Sequence, residues 1–180
     1  MSVRLSDFTF PGIPTRVVFG SGTLSQVGDE IVRLGHARAL VLTTDGQAEA
    51  GQALADELGG LAVGTFAQAQ MHTPVAVTAR ALEDVKGRDA DCVVSLGGGS
   101  TVGLGKAIAS RVGCGHVAVP TTYAGSEMTD ILGETENGEK TTRRDASIRP
   151  DAVVYDVDLT LSLPVNLSVT SALNAAAHAV

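Results

Sequence analysis

Tryptophan is absent from this chain of 180 residues, and aromatic side chains make up only 3% of it. A core must therefore be built from Val, Leu, Ile and Ala. Charged residues are also sparse at 18%, below the usual share of about 25%. Basic clusters are missing: the longest Lys/Arg run is Arg143-Arg144, and the net charge is −7. With a pI near 4.9, this argues against a nucleic-acid partner, which needs a basic face. No apolar run reaches the roughly 18 residues of a membrane-spanning helix, so no membrane partner is expected. Met1–Phe10 lacks the basic-then-apolar pattern of a secretory signal. Only Cys92 and Cys114 occur, which reads as two free thiols in a reducing cytoplasm.

Hydrophobic residues, at 44%, suffice for a sizeable core, and the 21 glycines gather where turns are expected. Thr9–Gly20 reads as two short strands about Pro11-Gly12, with Arg16–Phe19 the stronger. Ser21 or Thr23 can cap a helix that runs to Leu34 and stops at Gly35. Ala39–Thr43 is a continuous apolar run of the kind buried on both faces of a sheet. A helix follows over Ala48–Leu58, closed by Gly59-Gly60, then a short strand at Leu61–Thr65. Pro74 opens a helix ending near Gly87. Asp91–Leu96 is the strongest central strand and runs into Gly97-Gly98-Gly99-Ser100, with a helix from Thr101 to Val112. His116–Val119 is a further strand stopped by Pro120. Asn137-Gly138 marks a hairpin between Ile131–Thr135 and Lys140–Thr142. Ala152–Tyr155 is the last strand, and Pro164 opens a helix through Asn174 to His178.

Strands alternating with helices imply right-handed crossovers. The expected fold is α/β: a Rossmann-like doubly wound, mostly parallel sheet with an extra β-hairpin. Residues 1–160 would form a dinucleotide-binding domain. Residues 161–180 would be the first helix of an all-α domain, cut short because that helix reaches Val180 without a cap. The sequence thus reads as a fragment whose C-terminal domain is absent.

Two stretches carry chemistry. Gly97-Gly98-Gly99-Ser100 lies between a buried strand and a helix, where unpaired N–H groups and the helix dipole hold anions. Glycines let a pyrophosphate approach the backbone, and Ser100 can cap the helix or donate to a phosphate oxygen. The spacing is not G-x-G-x-x-G, because Val102 takes the third glycine's place. The bland alternative is a tight turn without a ligand. The second stretch, Pro120–Glu127, also leaves a strand's carboxyl end, where ligands of open α/β sheets bind. Thr121, Thr122 and Ser126 supply hydroxyls, and Tyr123 a flat face; alone, this too could be an ordinary polar loop. Asp45 follows the Ala39–Thr43 strand. It could hold a ribose 2′-hydroxyl, disfavouring NADPH, or cap the next helix.

The combination resembles the iron-containing alcohol dehydrogenase superfamily, and within it the maleylacetate reductase branch, over essentially the whole chain. The residues that carry the likeness are Gly97–Ala107, Pro120–Thr129, Gly138-Glu139-Lys140, Arg149–Pro164 and Ser171–His178. The resemblance implies that Gly97, Gly98, Gly99 and Ser100 form the pyrophosphate loop, and that Thr121 and Thr122 lie along the cofactor towards its nicotinamide. It implies that Lys140 reaches a ribose and that Leu159 packs near the adenosine. Without it, Lys140 reads as a solvated cation after a turn. Most members have Asp three residues beyond the loop serine, whereas Gly103 stands here. Metal-dependent members carry Asp and His at i and i+4; here the pair is Asn174 and His178. A carboxamide is a poor ligand for a hard cation, so no metal is expected.

The implied reaction is NADH- or NADPH-dependent reduction of maleylacetate, a small dicarboxylate, to 3-oxoadipate. His178 would be the proton donor facing the substrate, although alone on an alanine-rich helix it also reads as a core histidine. Arg143 and Arg144 would assist only if their hairpin turned towards the cleft. A homodimer is expected, and the 180 residues alone are expected to show no turnover. A metal-dependent alcohol dehydrogenase and a non-catalytic nucleotide-binding module stay open as alternatives. Dehydroquinate synthases share the implied architecture but differ after the glycine loop.

Overall fold

A computed structural model of the protein describes residues 14–178, with side chains through Leu173. Six parallel strands form one sheet: β1 (Arg16–Gly20), β2 (Ala39–Leu42), β3 (Ala62–Phe66), β4 (Cys92–Gly97), β5 (Gly115–Pro120) and β8 (Ala152–Asp156). Their order across the sheet is β1-β8-β5-β4-β2-β3. The hairpin strands β6 (Ile131–Glu136) and β7 (Glu139–Arg144) pair antiparallel beside it. Asn137 and Gly138 both take positive φ, 50° and 82°, as the two-residue turn requires.

The central strands read as mostly apolar runs, with Ser95 and His116 as buried polar exceptions, because helices cover both faces. Ala39 and Val41, Cys92 and Val94, Val117 and Val119 point to one side, where α1 (Val27–Arg33) adds Ile31 and α2 (Ala48–Leu58) adds Leu54. Leu40, Leu42 and Val93 point to the other, against Val77 and Ala81 of α3 (Val75–Gly87) and Leu104 and Ile108 of α4 (Gly99–Val112). A last helix, α5, spans Val165–His178.

Several boundaries differ from expectation. The helix expected from Ser21 or Thr23 is a short 3₁₀ turn, Thr23–Gln26, followed by α1, with no side-chain cap. The Thr23 hydroxyl turns instead to the Tyr155 carbonyl. Pro74 stands one residue before α3, with extended ψ of 135°. The helix expected from Thr101 begins at Gly99, because Gly98 takes the extended cap position. Ser100 therefore lies inside the first turn and does not cap it. The first strand of the expected Thr9–Gly20 hairpin falls on residues 1–13, outside the described residues. Among the described residues, no helix is long and apolar enough to cross a membrane.

Candidate active site

Strand order fixes where a ligand can sit. The chain leaves β2 for β3 on one flank of the sheet, and leaves β4 for β5 on the other. Between β2 and β4 the connections diverge, and a crevice opens beyond the strands' carboxyl ends. Three loops meet there. Gly97 has φ 152°, a conformation side chains rarely adopt, and a Cβ on it would lie 2.8 Å from Gln47 Oε1. Gln47 Nε2 donates to Thr121 Oγ1 at 3.2 Å, and the Thr121 amide donates to the Gly97 carbonyl at 3.0 Å. Thr122 stands against Gly98, 3.1 Å from where its Cβ would be.

The loops thus pack into one cradle around the start of α4. The amides of Thr101 and Val102 return to the Gly98 carbonyl at 3.0 and 3.1 Å. Those of Gly99 and Ser100 have no partner within the helix and sit at its positive end. This edge can hold an anion without any basic side chain in contact.

A cavity of about 350 Å³ adjoins the cradle, lined among others by Thr73, Ser100, Gly103, Lys106 and Lys140. Lys140 is exposed on β7 and lays its side chain across Gly133. Beneath, Lys106 is fully buried. Its ammonium donates to the carbonyls of Ser126 and Ile131 and to Thr129 Oγ1. Burial lowers its pKa to about 8, against the opposing charges of Glu127 and Asp130. Desolvation holds buried His116 neutral, with a pKa near 3, and its Nε2 lies 2.8 Å from Ser95 Oγ.

A second cavity, of about 460 Å³, lies between Phe19, Tyr123, Tyr155 and Leu161. Tyr155 donates to Glu127 Oε1 at 2.8 Å, and burial followed by this carboxylate pushes its phenol pKa up.

The expected site residues therefore divide. Gly97, Gly98, Gly99, Ser100, Thr121 and Thr122 come together. Ser126 and Lys140 line the neighbouring cavity, and exposed Tyr123 faces the apolar one. Asp45 is exposed in the 3₁₀ turn before α2, and no side chain caps that helix, which removes the capping alternative. Leu159 packs on the core face shared with α1 and α2. Arg143 bonds Ser110, and Arg144 pairs with Asp130 at 3.5 Å; neither lines a cavity described above. The His178 side chain lies outside the described residues. Gln47, Thr73 and Lys106 escaped the sequence reading. Lys106 alone left a trace, as a cation on the apolar stripe of a helix four residues after Val102.

Comparison with known proteins gives a consistent result. The family model "Iron-containing alcohol dehydrogenase" matches residues 14–157. Maleylacetate reductase of Rhizobium sp. (strain MTP-10005) is 57% identical over 97% of this chain and 50% of its own length. Maleylacetate reductase 1 of Rhodococcus opacus is 50% identical over 100% and 50%. The crystal structure of maleylacetate reductase from Agrobacterium tumefaciens superposes with a TM-score of 0.94 at 56% identity, covering 97% of this chain and 50% of that one. The chain spans about half the length of the curated relatives it matches.

Proposed function

The chain belongs to the iron-containing alcohol dehydrogenase family, and on that premise we propose that it is the nucleotide-binding half of a maleylacetate reductase. The observation that carries this reading is the three-loop cradle: Gln47 against Gly97 and bonded to Thr121, at the sheet's switch point. Identity of 50–57% to maleylacetate reductases supports maleylacetate as the substrate.

In this reading the Gly99 and Ser100 amides hold the pyrophosphate of NADH or NADPH. Thr121 and Thr122 fix its course, and Lys140 reaches a ribose. Leu159 would flank the adenosine, and Asp45, free of any capping role, would meet the ribose 2′-hydroxyl. The glycine cradle fits such a group, since a Cβ at Gly98 would meet Thr122 instead. The bound nicotinamide supplies the hydride. His178 is the proposed proton donor, and α5 would open a helical domain beginning near residue 161. Walls for the doubly anionic substrate would come from the sequence the relatives carry beyond the matched half. Free Cys92 and Cys114 fit a reducing cytoplasm.

The family name carries iron. Asn174, four residues before His178, supplies a carboxamide where a metal pair would use a carboxylate, so the proposed reaction needs no tightly bound metal. Iron in stoichiometric amount after purification, measured by elemental analysis, would favour the alcohol dehydrogenase alternative.

The test of function has two arms. The 180-residue chain should quench or enhance NADH fluorescence on binding yet show no maleylacetate-dependent NADH oxidation. Fused to the second half of the Rhizobium relative, it should oxidise NADH when maleylacetate is added. A fusion that folds and binds NADH but ignores maleylacetate sinks the substrate assignment.

A further inference from the structure

Among the described residues, Lys106 is the one Lys or Arg that is fully buried. It sits on α4 below Gly103, and helical side chains lean towards the helix N-terminus, here the cradle. An ammonium has three protons, and three neutral oxygens take them: the carbonyls of Ser126 and Ile131 and the Thr129 hydroxyl. Thr129 Oγ1 in turn donates to the Ser126 carbonyl at 3.0 Å. Among the described residues, no carboxylate touches the ammonium. Asp130 is shared by Arg144 and Arg149 at 3.5 Å each, and Glu127 is engaged by Tyr155.

We propose that Lys106 is a positioning residue of the anion site: its ammonium ties the 126–131 segment to α4 and leaves a positive charge beneath the cavity, met by Glu127 and Asp130 only without direct contact, that a bound nucleotide's phosphates complete. The proposal rests on the nucleotide reading and adds to it a charged floor that the ligand need not touch. Among the described residues, four charged or titratable groups act on Lys106. Glu127 comes from the 3₁₀ turn after β5, and Asp130 from the approach to β6. Arg149 lies before β8, and neutral His116 on β5. Lys140 and His72 line the cavity above.

The consequence is a pH-dependent affinity. The burial-lowered pKa near 8 means that the ammonium loses its proton as pH rises through that value. The amine left behind has one N–H too few for its three acceptors, and the floor loses its charge. An anion in the cavity favours the charged form, so binding just above this pH takes up a proton.

Calorimetric titration of the 180-residue chain with NADH, between about pH 7 and about pH 9 in buffers of different ionisation enthalpy, tests this. Expected is uptake of a fraction of a proton near pH 8, and an affinity about fivefold weaker at the upper end. Lys106→Met should bind weakly at every pH without proton uptake. Lys106→Arg, which keeps its charge, should flatten the profile and recover part of the affinity. Should the variants fail to fold, NMR of ¹³C-labelled lysines in the unaltered chain gives the same answer: one lysine titrating near 8 and shifting upward with NADH. Proton uptake that is absent, or that persists in Lys106→Met, overturns the proposal and leaves the nucleotide reading standing. NADH that fails to bind at any pH overturns both.

Discussion

Position 103 shows how one missing side chain is explained by another that is present. A Cβ on Gly103 would run into Thr73 Oγ1, and Thr73 is buried in a turn where both it and His72 hold positive φ, 46° and 65°. The Asp that the resemblance would place at 103 has no room, because the Thr73 hydroxyl fills its space. Gly103→Ala should therefore destabilise the chain by about 1 kcal/mol, despite alanine's better helix propensity. Thr73→Ala in the same chain should remove most of that cost. Urea unfolding of the two single variants and the double variant reads this directly, and strict additivity would refute the clash. Asp45 gives a second test at this scale. It is exposed at the carboxyl end of β2, and its charge opposes a 2′-phosphate. Asp45→Ala should lower the NADPH dissociation constant about tenfold relative to that of NADH, measured by fluorescence titration. An unchanged ratio would remove Asp45 from the cofactor site.

Elements with one dominant local signal were legible in the sequence. α2 stands at Ala48–Leu58 as read, since Gly59 takes positive φ and ends it. β2, β4, β5 and β8 were readable because both faces are covered, so most of their residues are apolar. The start of α4 was not: three glycines carry no periodicity, and the helix begins wherever the backbone first turns after Gly98. Nor were Gln47 and Lys106, whose partners lie 74 and 20 to 25 residues away. The hairpin was legible as a hairpin, but its docking was not. It is held to α4 by Arg111 and Glu134 at 2.8 Å, the carboxylate being almost buried. Arg111→Ala leaves Glu134 with Arg143 at 3.9 Å, and should loosen β6–β7 by about 2 kcal/mol. Amide hydrogen exchange in the hairpin should speed up while β4 and β5 stay protected. β5 adds a pH prediction. His116 is neutral when folded down to about pH 3 but near 6.5 when unfolded, so the unfolded chain gains a proton first. Stability should be full above pH 6.5 and fall with acid towards pH 3, by up to about 1.4 kcal/mol per pH unit from this group. His116→Asn should show a shallower fall in urea midpoint across that window; an identical slope would contradict the buried neutral imidazole.

At the scale of the described chain, a sheet covered on both faces is followed by a helix, α5, whose described apolar side chains are largely exposed. Along α5, Val165, Val169 and Leu173 are more than half exposed, at 79%, 53% and 67%, and Leu167 is 43% exposed. Leu161, just before it, is 80% exposed, and Phe19 on β1, 72% exposed, lines the apolar cavity with it. Apolar surface gathered in this way drives association when nothing covers it. The nucleotide cradle lies at the β2, β4 and β5 loops and uses none of these residues, so the two properties should separate. The chain at micromolar concentration is expected to enhance the fluorescence of a hydrophobic dye and to scatter light as oligomers larger than a monomer. Val165→Glu with Leu173→Glu should reduce both signals and leave the NADH dissociation constant within about twofold. Dye binding that survives the double substitution would move the sticky surface from α5 to the Phe19 cavity. NADH affinity that collapses with it would mean that α5 is coupled to the cradle across the chain.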